Sequence, residues 1–144
     1  MAIKIFIDQG HNPVNPNAGA EGNGLREQDI TYSVCVILAD LLRQNGNFEV
    51  LTSRAAPTTQ LGTSNSSSLA ARVDAANSWG ANYFISLHTN ASSNSSASGT
   101  EAYAYSQSSQ GFALGEVIVA ELSQITGLRD RGVFARPSLY VLRK

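Results

Sequence analysis

The sequence predicts an α/β fold in which short buried strands alternate with helices. Two apolar stretches, 3–8 and 82–87, are each followed by polar or turn-forming residues, and a long helical pattern covers 28–44. Hydrophobic residues make up 42% of the 144 residues, which suits a single compact core. We therefore expect one domain covering residues 1–144, with helices on both faces of a sheet.

The first strand is predicted at 3–8, because this stretch is rich in Ile and Phe and a loop with Pro13 follows it. Residues 13–26 are dense in Asn, Gly and Pro and predict that loop. A second strand is expected at 48–52. The N-terminus itself lacks the charged, apolar and small-residue regions of a signal peptide.

The first helix is predicted at 28–44, with Gly46 after it as a C-cap. Its apolar stripe consists of Ile30, Val34, Ile37, Leu38, Leu41 and Leu42. Cys35 lies on the apolar side of this pattern. As the single cysteine it has no partner for an internal disulfide, and we expect a small core residue there.

A tract rich in Ser, Thr and Gly at 58–68 predicts an exposed loop that ends in a helix N-cap at Ser67 or Ser68. The second helix is expected at 69–78, and Gly80 ends it.

The second half of the chain continues the alternation. After the strand at 82–87, the small polar residues of 91–98 predict a flexible surface loop. A strand is expected at 99–105 and a third helix at about 107–126, which Gly127 ends.

Charge and hydropathy exclude two classes of partner. The net charge is −1 and the sequence pI is about 6.1, so the chain offers no cationic field for nucleic acid or for an anionic membrane surface. No apolar run approaches the roughly 20 residues that a membrane-spanning helix needs, and we expect no membrane insertion.

The two histidines of the chain both follow predicted strands. His11 comes after 3–8 and His88 after 82–87, and the carboxyl ends of parallel strands are where functional groups collect in α/β sheets. Two histidines and one carboxylate can hold Zn²⁺ with a position left open. Glu27, at the start of the first helix, is the candidate carboxylate. The alternatives are hydrogen-bonded loop histidines and an acid placed to suit the helix dipole.

Ordered blocks along the chain resemble a known family. They run from residue 7 to residue 143 and read IDQGHNP, GLREQDI, LADLLRQNG, LTSR, LAARVDAANSWGANYFISLHTNAS, SGTEAYAY, RGVF and YVLR. This order is similar to that of the zinc-dependent N-acetylmuramoyl-L-alanine amidases of the amidase 3 type. The resemblance implies a twisted, mixed and mostly parallel sheet, and it implies zinc ligands at His11, Glu27 and His88.

The resemblance suggests further site residues. Asn90 matches an asparagine beside the second histidine and is the candidate for substrate binding, or it caps a turn. Glu101 borders the expected cleft and is the candidate catalytic residue, with a solvated strand glutamate as the alternative. Arg72 and Asn77 match a helix block, for which we expect a structural role.

The chain departs from the family pattern at its end. The resemblance assigns proton transfer to a second glutamate on a strand beyond the VLR block, and the sequence stops at Lys144 without it. We therefore expect a C-terminally truncated domain whose hydrolysis is slowed by roughly 10²- to 10⁴-fold or more. Association through the sheet edge left by truncation is also expected.

The implied function is zinc-dependent hydrolysis of the amide between N-acetylmuramic acid and L-alanine in peptidoglycan. Its partner would be peptidoglycan or a muropeptide, at the cell wall, in the periplasm or outside the cell. A bacterial autolysin and a phage endolysin are both open as sources. The alternatives are a catalytically silent peptidoglycan-binding module that keeps the zinc pocket, and another zinc hydrolase acting on stem-peptide bonds.

Overall fold

The structure, a computed structural model, describes residues 2–144 of the chain. It divides into two compact units, Met1–Ala91 and Ser92–Lys144. The expectation of a single domain over 1–144 stays a prediction. Within the described residues, no helix combines the length and the apolar character that crossing a membrane requires.

The first unit is built around a parallel sheet. Its elements are β1 (Ile3–Gln9), β2 (Glu21–Gly22), β3 (Leu25–Arg26), α1 (Glu27–Gln44), β4 (Phe48–Thr52), α2 (Asn65–Trp79) and β5 (Tyr83–Leu87). Strand β1 lies in the centre and pairs in parallel with β4 on one side and with β5 on the other. The parallel sheet agrees with the prediction. The small antiparallel pair of β2 and β3 lies within the predicted loop at 13–26 and was not predicted.

Helix α1 covers one face of this sheet. Ile5 and Ile7 of β1 pack against Cys35 and Ala39 of α1, and all four side chains are buried. The buried position of Cys35 confirms that it is a core residue. Burial raises the pKa of its thiol to about 12, so the thiol stays protonated at neutral pH.

Helix α2 lies on the opposite face of the sheet, where it contacts side chains at the two ends of β1. There Phe6 is fully buried and stacks on Phe84, with ring centroids 5.7 Å apart. At the far end of β1, Lys4 Nζ donates to the carbonyl of Trp79, the last residue of α2, over 3.1 Å. Helices on both faces of the sheet agree with the prediction.

The predicted apolar stripe of α1 is divided between two faces. Leu38 packs against the core, but Ile37 and Leu41 are 62% and 60% exposed. The small side chains of Cys35 and Ala39 face the sheet instead, which allows the helix to lie close to β1. Apolar spacing alone therefore overestimated the buried surface of this helix.

Helix α2 begins earlier than predicted. Its N-cap is Ser64 rather than Ser67 or Ser68. The Ser64 hydroxyl accepts from the Ser67 amide over 3.1 Å, and the Ser67 hydroxyl accepts from the Ser64 amide over 2.9 Å, which forms a capping box. The C-cap is Gly80 in the left-handed conformation with φ 72°, as predicted.

The second unit contains a parallel strand pair and a helix packed on it. Its elements are β6 (Thr100–Ala104), α3 (Gln110–Thr126), β7 (Asp130–Ala135) and α4 (Tyr140–Arg143). Gly115 of α3 lies where a Cβ would come within 3.2–3.3 Å of Val133 and Ala102, so its lack of a side chain allows close packing. The prediction for α3 began three residues too early, and β7 and α4 were not predicted.

Candidate metal centre

The two histidines lie at the same edge of the parallel sheet. Gln9 and Leu87 are paired at the ends of β1 and β5. His88 follows Leu87 directly, and His11 comes two residues after Gln9. Neighbouring parallel strands bring their carboxyl ends together, and this is why residues 77 positions apart meet.

Glu27 joins them from the first position of α1. Its side chain is only 5% exposed, and both carboxylate oxygens are held by backbone amides. The Ala20 amide donates to Oε2 over 3.1 Å, and the Thr89 amide donates to Oε1 over 2.9 Å. The helix N-terminus also favours a negative charge here.

Three potential ligand atoms form a nearly equilateral triangle. His11 Nε2 lies 3.2 Å from Glu27 Oε1, and His88 Nδ1 lies 3.1 Å from each of these two atoms. The structure thus brings together all three residues that the sequence nominated as metal ligands. The His11 side chain is 21% exposed and the His88 side chain 48%, so the cluster opens to solvent on the His88 side.

The triangle fits one face of a zinc coordination tetrahedron. With metal–ligand distances of about 2.0–2.1 Å, a tetrahedral zinc separates its ligand atoms by about 3.3–3.4 Å. The observed separations of 3.1–3.2 Å are within a few tenths of an ångström of that spacing. Two imidazoles and one carboxylate are also a ligand set that zinc uses in open, catalytic sites.

Electrostatics favour the metal-binding protonation states. Burial opposes ionisation of Glu27, but the amides of Ala20 and Thr89 together with the two histidines outweigh it, and the pKa of Glu27 lies below its usual value. Partial burial, and then the neighbouring His11, lower the pKa of His88. A carboxylate and a neutral imidazole are the forms that bind metal ions.

Nδ1, the remaining ring nitrogen of His11, is buried and has no hydrogen-bond partner among residues 2–144. If His11 Nε2 and His88 Nδ1 were both unprotonated, their lone pairs would repel across 3.1 Å. A cation shared with the carboxylate would remove this repulsion.

Two glycines allow the cluster to close, and sequence reasoning missed their role. A Cβ at Gly10 would lie 2.7 Å from Cε1 and 2.8 Å from Nδ1 of His88. A Cβ at Gly19 would lie 2.8 Å from the Glu27 Cβ and 2.9 Å from the His11 Cδ2. Gly10 lies in the IDQGHNP block and Gly19 in the loop that follows it, but their positions in the sequence give no sign that they contact the candidate ligands.

Asn90 and Glu101 are the other two residues that the sequence nominated for the site. Asn90 is exposed two residues beyond His88, and its substrate-binding role stays a prediction. Glu101 belongs to the second unit, where its carboxylate pairs with Arg131 over 3.0 Å and accepts a short hydrogen bond from the Tyr103 hydroxyl. A catalytic role for Glu101 likewise stays a prediction.

Comparison with known proteins assigns the family. The amidase 3 description, N-acetylmuramoyl-L-alanine amidase, matches residues 5–144. The chain is 36% identical over 132 residues to the N-acetylmuramoyl-L-alanine amidase CwlM of Bacillus licheniformis, a match covering 90% of this chain and 47% of CwlM. It is 36% identical over 141 residues to the N-acetylmuramoyl-L-alanine amidase LytC of Bacillus subtilis (strain 168), covering 96% of this chain and 26% of LytC. The chain thus spans less than half the length of these two relatives.

A solved structure agrees with this assignment. The catalytic domain of CwlV, an N-acetylmuramoyl-L-alanine amidase from Bacillus (Paenibacillus) polymyxa var. colistinus, superposes with a TM-score of 0.81 at 30% sequence identity. The match covers 99% of this chain and 74% of the CwlV chain. Fold, sequence and the order of the elements lead to one conclusion: this chain belongs to the amidase 3 family, the N-acetylmuramoyl-L-alanine amidases.

Proposed function

We propose that the protein is a zinc-dependent peptidoglycan amidase that hydrolyses the bond between N-acetylmuramic acid and L-alanine. The observation that carries the proposal is the triangle of His11 Nε2, Glu27 Oε1 and His88 Nδ1, with sides of 3.1–3.2 Å. The family assignment and the names of the relatives support the substrate class. Since peptidoglycan lies outside the cytoplasmic membrane, we place the action of the protein at the cell wall.

In this proposal the three side chains hold the metal and leave the solvent side of the cluster for substrate. Zinc, when bound, polarises the scissile carbonyl and activates water for attack. Glu27 supplies the negative charge, and the Ala20 and Thr89 amides fix its two oxygens. The half-exposed ring of His88 forms the open rim, where the amide of a bulky, branched substrate can approach.

Proton transfer is the second requirement of amide hydrolysis. The family resemblance assigns it to a glutamate that none of the 144 residues matches. We accordingly propose that residues 1–144 by themselves bind zinc and substrate but turn substrate over slowly.

Zinc binding is tested first, by metal analysis of the purified protein and by competition with a chromophoric chelator. We expect one zinc per chain and loss of that zinc in His88→Ala. A matched control is Asn77→Ala, which changes a polar residue of α2 outside the candidate ligand set. Zinc that remains bound at one equivalent in both variants would contradict the assignment.

The reaction is tested by mass spectrometry of muropeptides incubated with the full-length encoded protein loaded with zinc. We expect products that carry a free lactyl carboxylate on the sugar and a free amine on L-alanine. Cleavage between two stem-peptide residues would instead identify a peptidase. Binding of muropeptide with no product of either kind would identify a silent binding module.

A further inference from the structure

A buried ion pair lies next to the candidate metal centre and has no place in the chemistry described so far. Arg72 Nη1 of α2 lies 2.5 Å from Asp8 Oδ1 of β1. The two side chains are only 1% and 2% exposed. Removing two charges from water is costly, and well-packed apolar residues often replace such a pair without loss of stability. Stability alone is therefore a weak explanation for this pair.

The same guanidinium group also holds the segment that carries His11. Arg72 Nη1 donates to the Gln9 carbonyl over 2.6 Å, and Nη2 donates to the His11 carbonyl over 2.8 Å. Nη2 also donates to Asn12 Oδ1 over 3.2 Å. One planar side chain thus fixes the main chain at the candidate ligand and two residues before it, together with the side chain of the residue that follows it.

The backbone at His11 needs such support. Its φ is 70°, in the left-handed region that residues other than glycine adopt infrequently. A backbone in this region persists where surrounding contacts determine it. The contacts here are the bond from Arg72 to the His11 carbonyl and the bond from the Asn12 amide to the Asn17 carbonyl over 2.8 Å.

Asp8 extends the arrangement to the other histidine. Its second oxygen, Oδ2, accepts from the Ser86 hydroxyl over 2.6 Å. Ser86 belongs to β5 and stands two residues before His88. The ion pair is thereby linked to both strands that lead into a candidate ligand.

We propose that Arg72 and Asp8 are positioning residues that set the separation of His11 and His88 for metal binding. The proposal rests on the zinc site put forward above and assigns these two residues a role beyond the structural one that the sequence predicted for Arg72. Arginine suits the task, since its planar fork reaches several acceptors at once, whereas a lysine ammonium is a single point of donation.

The test compares zinc affinity and metal geometry among folded variants. The double variant Asp8→Asn with Arg72→Met removes the pair without leaving a buried unpaired charge. Arg72→Lys keeps a cation beside Asp8, so it can be measured if the double variant does not fold. The control is Val73→Ala, because Val73 is buried in the same helix and its side chain has no hydrogen-bonding group.

Two measurements separate positioning from general destabilisation. We expect the double variant to bind zinc about 10- to 100-fold more weakly than the wild type, and Arg72→Lys to be intermediate. The visible absorption spectrum of the Co²⁺-substituted protein should shift in both, because the ligand geometry changes. Val73→Ala should lower the melting temperature but keep the wild-type zinc affinity and Co²⁺ spectrum.

A folded double variant with the zinc affinity and Co²⁺ spectrum of the wild type would overturn the positioning role and leave the zinc site intact. A wild-type protein that binds no zinc would instead overturn the proposed function. The two failures are thus read from different samples.

Discussion

At Gly19, the absence of a side chain decides whether two candidate ligands can approach one another. A methyl group there would lie within 3 Å of both Glu27 and His11, and Glu27 cannot move away freely, since it is buried and held by two amides. The requirement is steric and does not involve φ, so it differs from the usual reason for a glycine in a turn.

We predict that Gly19→Ala weakens zinc binding by at least about tenfold, because the added methyl group displaces Glu27 or His11 from its position in the cluster. Chelator competition measures the effect. Gly22→Ala is the matched control, because a Cβ at Gly22 would meet nothing within 4 Å. Equal zinc affinity in the two folded variants would show that the contacts at Gly19 are not limiting.

The protonation of the site predicts how the metal-free protein responds to acid. The pKa of His88 lies below its ordinary 6.5 and that of Glu27 below its ordinary 4.5, so in both cases the unfolded chain takes up a proton before the folded chain does. Their contributions to stability are complete above those ordinary values and are lost as the pH falls below them, His88 first.

We therefore expect the free energy of unfolding of the metal-free protein to fall between about pH 7 and about pH 5, and to fall less steeply in His88→Gln. Urea unfolding across this range measures both curves. Parallel curves for the two proteins would mean that His88 does not have a lowered pKa in the folded state.

At the residue scale, the sequence was sufficient to nominate the three candidate ligands. It was not sufficient to show that Asp8 and Arg72 hold the segments that carry them. His11, Glu27 and His88 are recognisable because their residue types bind zinc and because each follows a strand or starts a helix. Asp8 and Arg72 are 64 positions apart, and only the packing of α2 on β1 brings them together. An arginine within a helix otherwise suggests a solvent-exposed position.

Among the elements, α2 shows how a cap determines a helix boundary. The serine-rich sequence before this helix offers several cap candidates, and the structure selects Ser64 because Ser67 can complete the reciprocal pair of hydrogen bonds. The sequence prediction placed the cap at Ser67 or Ser68 because the apolar pattern begins only at Leu69.

We predict that Ser64→Ala lowers the free energy of unfolding by about 1 kcal/mol, because an amide of the first turn loses its acceptor. Ser66→Ala is the control, since Ser66 is exposed in the same turn and does not cap the helix. Urea denaturation compares the two. A larger loss in Ser66→Ala than in Ser64→Ala would contradict the assigned cap.

Helix α1 gives a second test at this scale. Ile37 is 62% exposed and Ala39 is fully buried against the sheet. We predict that Ile37→Lys changes the free energy of unfolding by less than about 0.5 kcal/mol. In contrast, Ala39→Leu should cost about 1–3 kcal/mol or more, because no space remains between helix and sheet. A larger loss of stability in Ile37→Lys than in Ala39→Leu, measured by urea denaturation, would contradict this assignment. It would indicate that the predicted apolar stripe is the buried face of α1.

For the molecule as a whole, the order of strands explains the position of the site. From β1 the chain passes through α1 to β4 on one side, and then through α2 to β5 on the other side of β1. The connections cover opposite faces, and the loops that leave β1 and β5 meet at the carboxyl edge of the sheet. This edge is where all three candidate ligands lie.

The parallel sheet and this edge could be predicted because apolar strands and helices alternate along the chain. The hairpin of β2 and β3 could not, since two-residue strands leave no periodic pattern in a Gly-rich loop. Strand β7 was missed for a related reason, because its sequence DRGVFA contains few apolar residues and a glycine in its interior.

The central claim is that His11, Glu27 and His88 bind one zinc ion, and crystallography at the zinc absorption edge tests it most directly. We expect a single anomalous peak about 2.0–2.2 Å from His11 Nε2, His88 Nδ1 and a carboxylate oxygen of Glu27. A crystal saturated with zinc that shows no peak among these three side chains, or shows its peak at other residues, would contradict the claim.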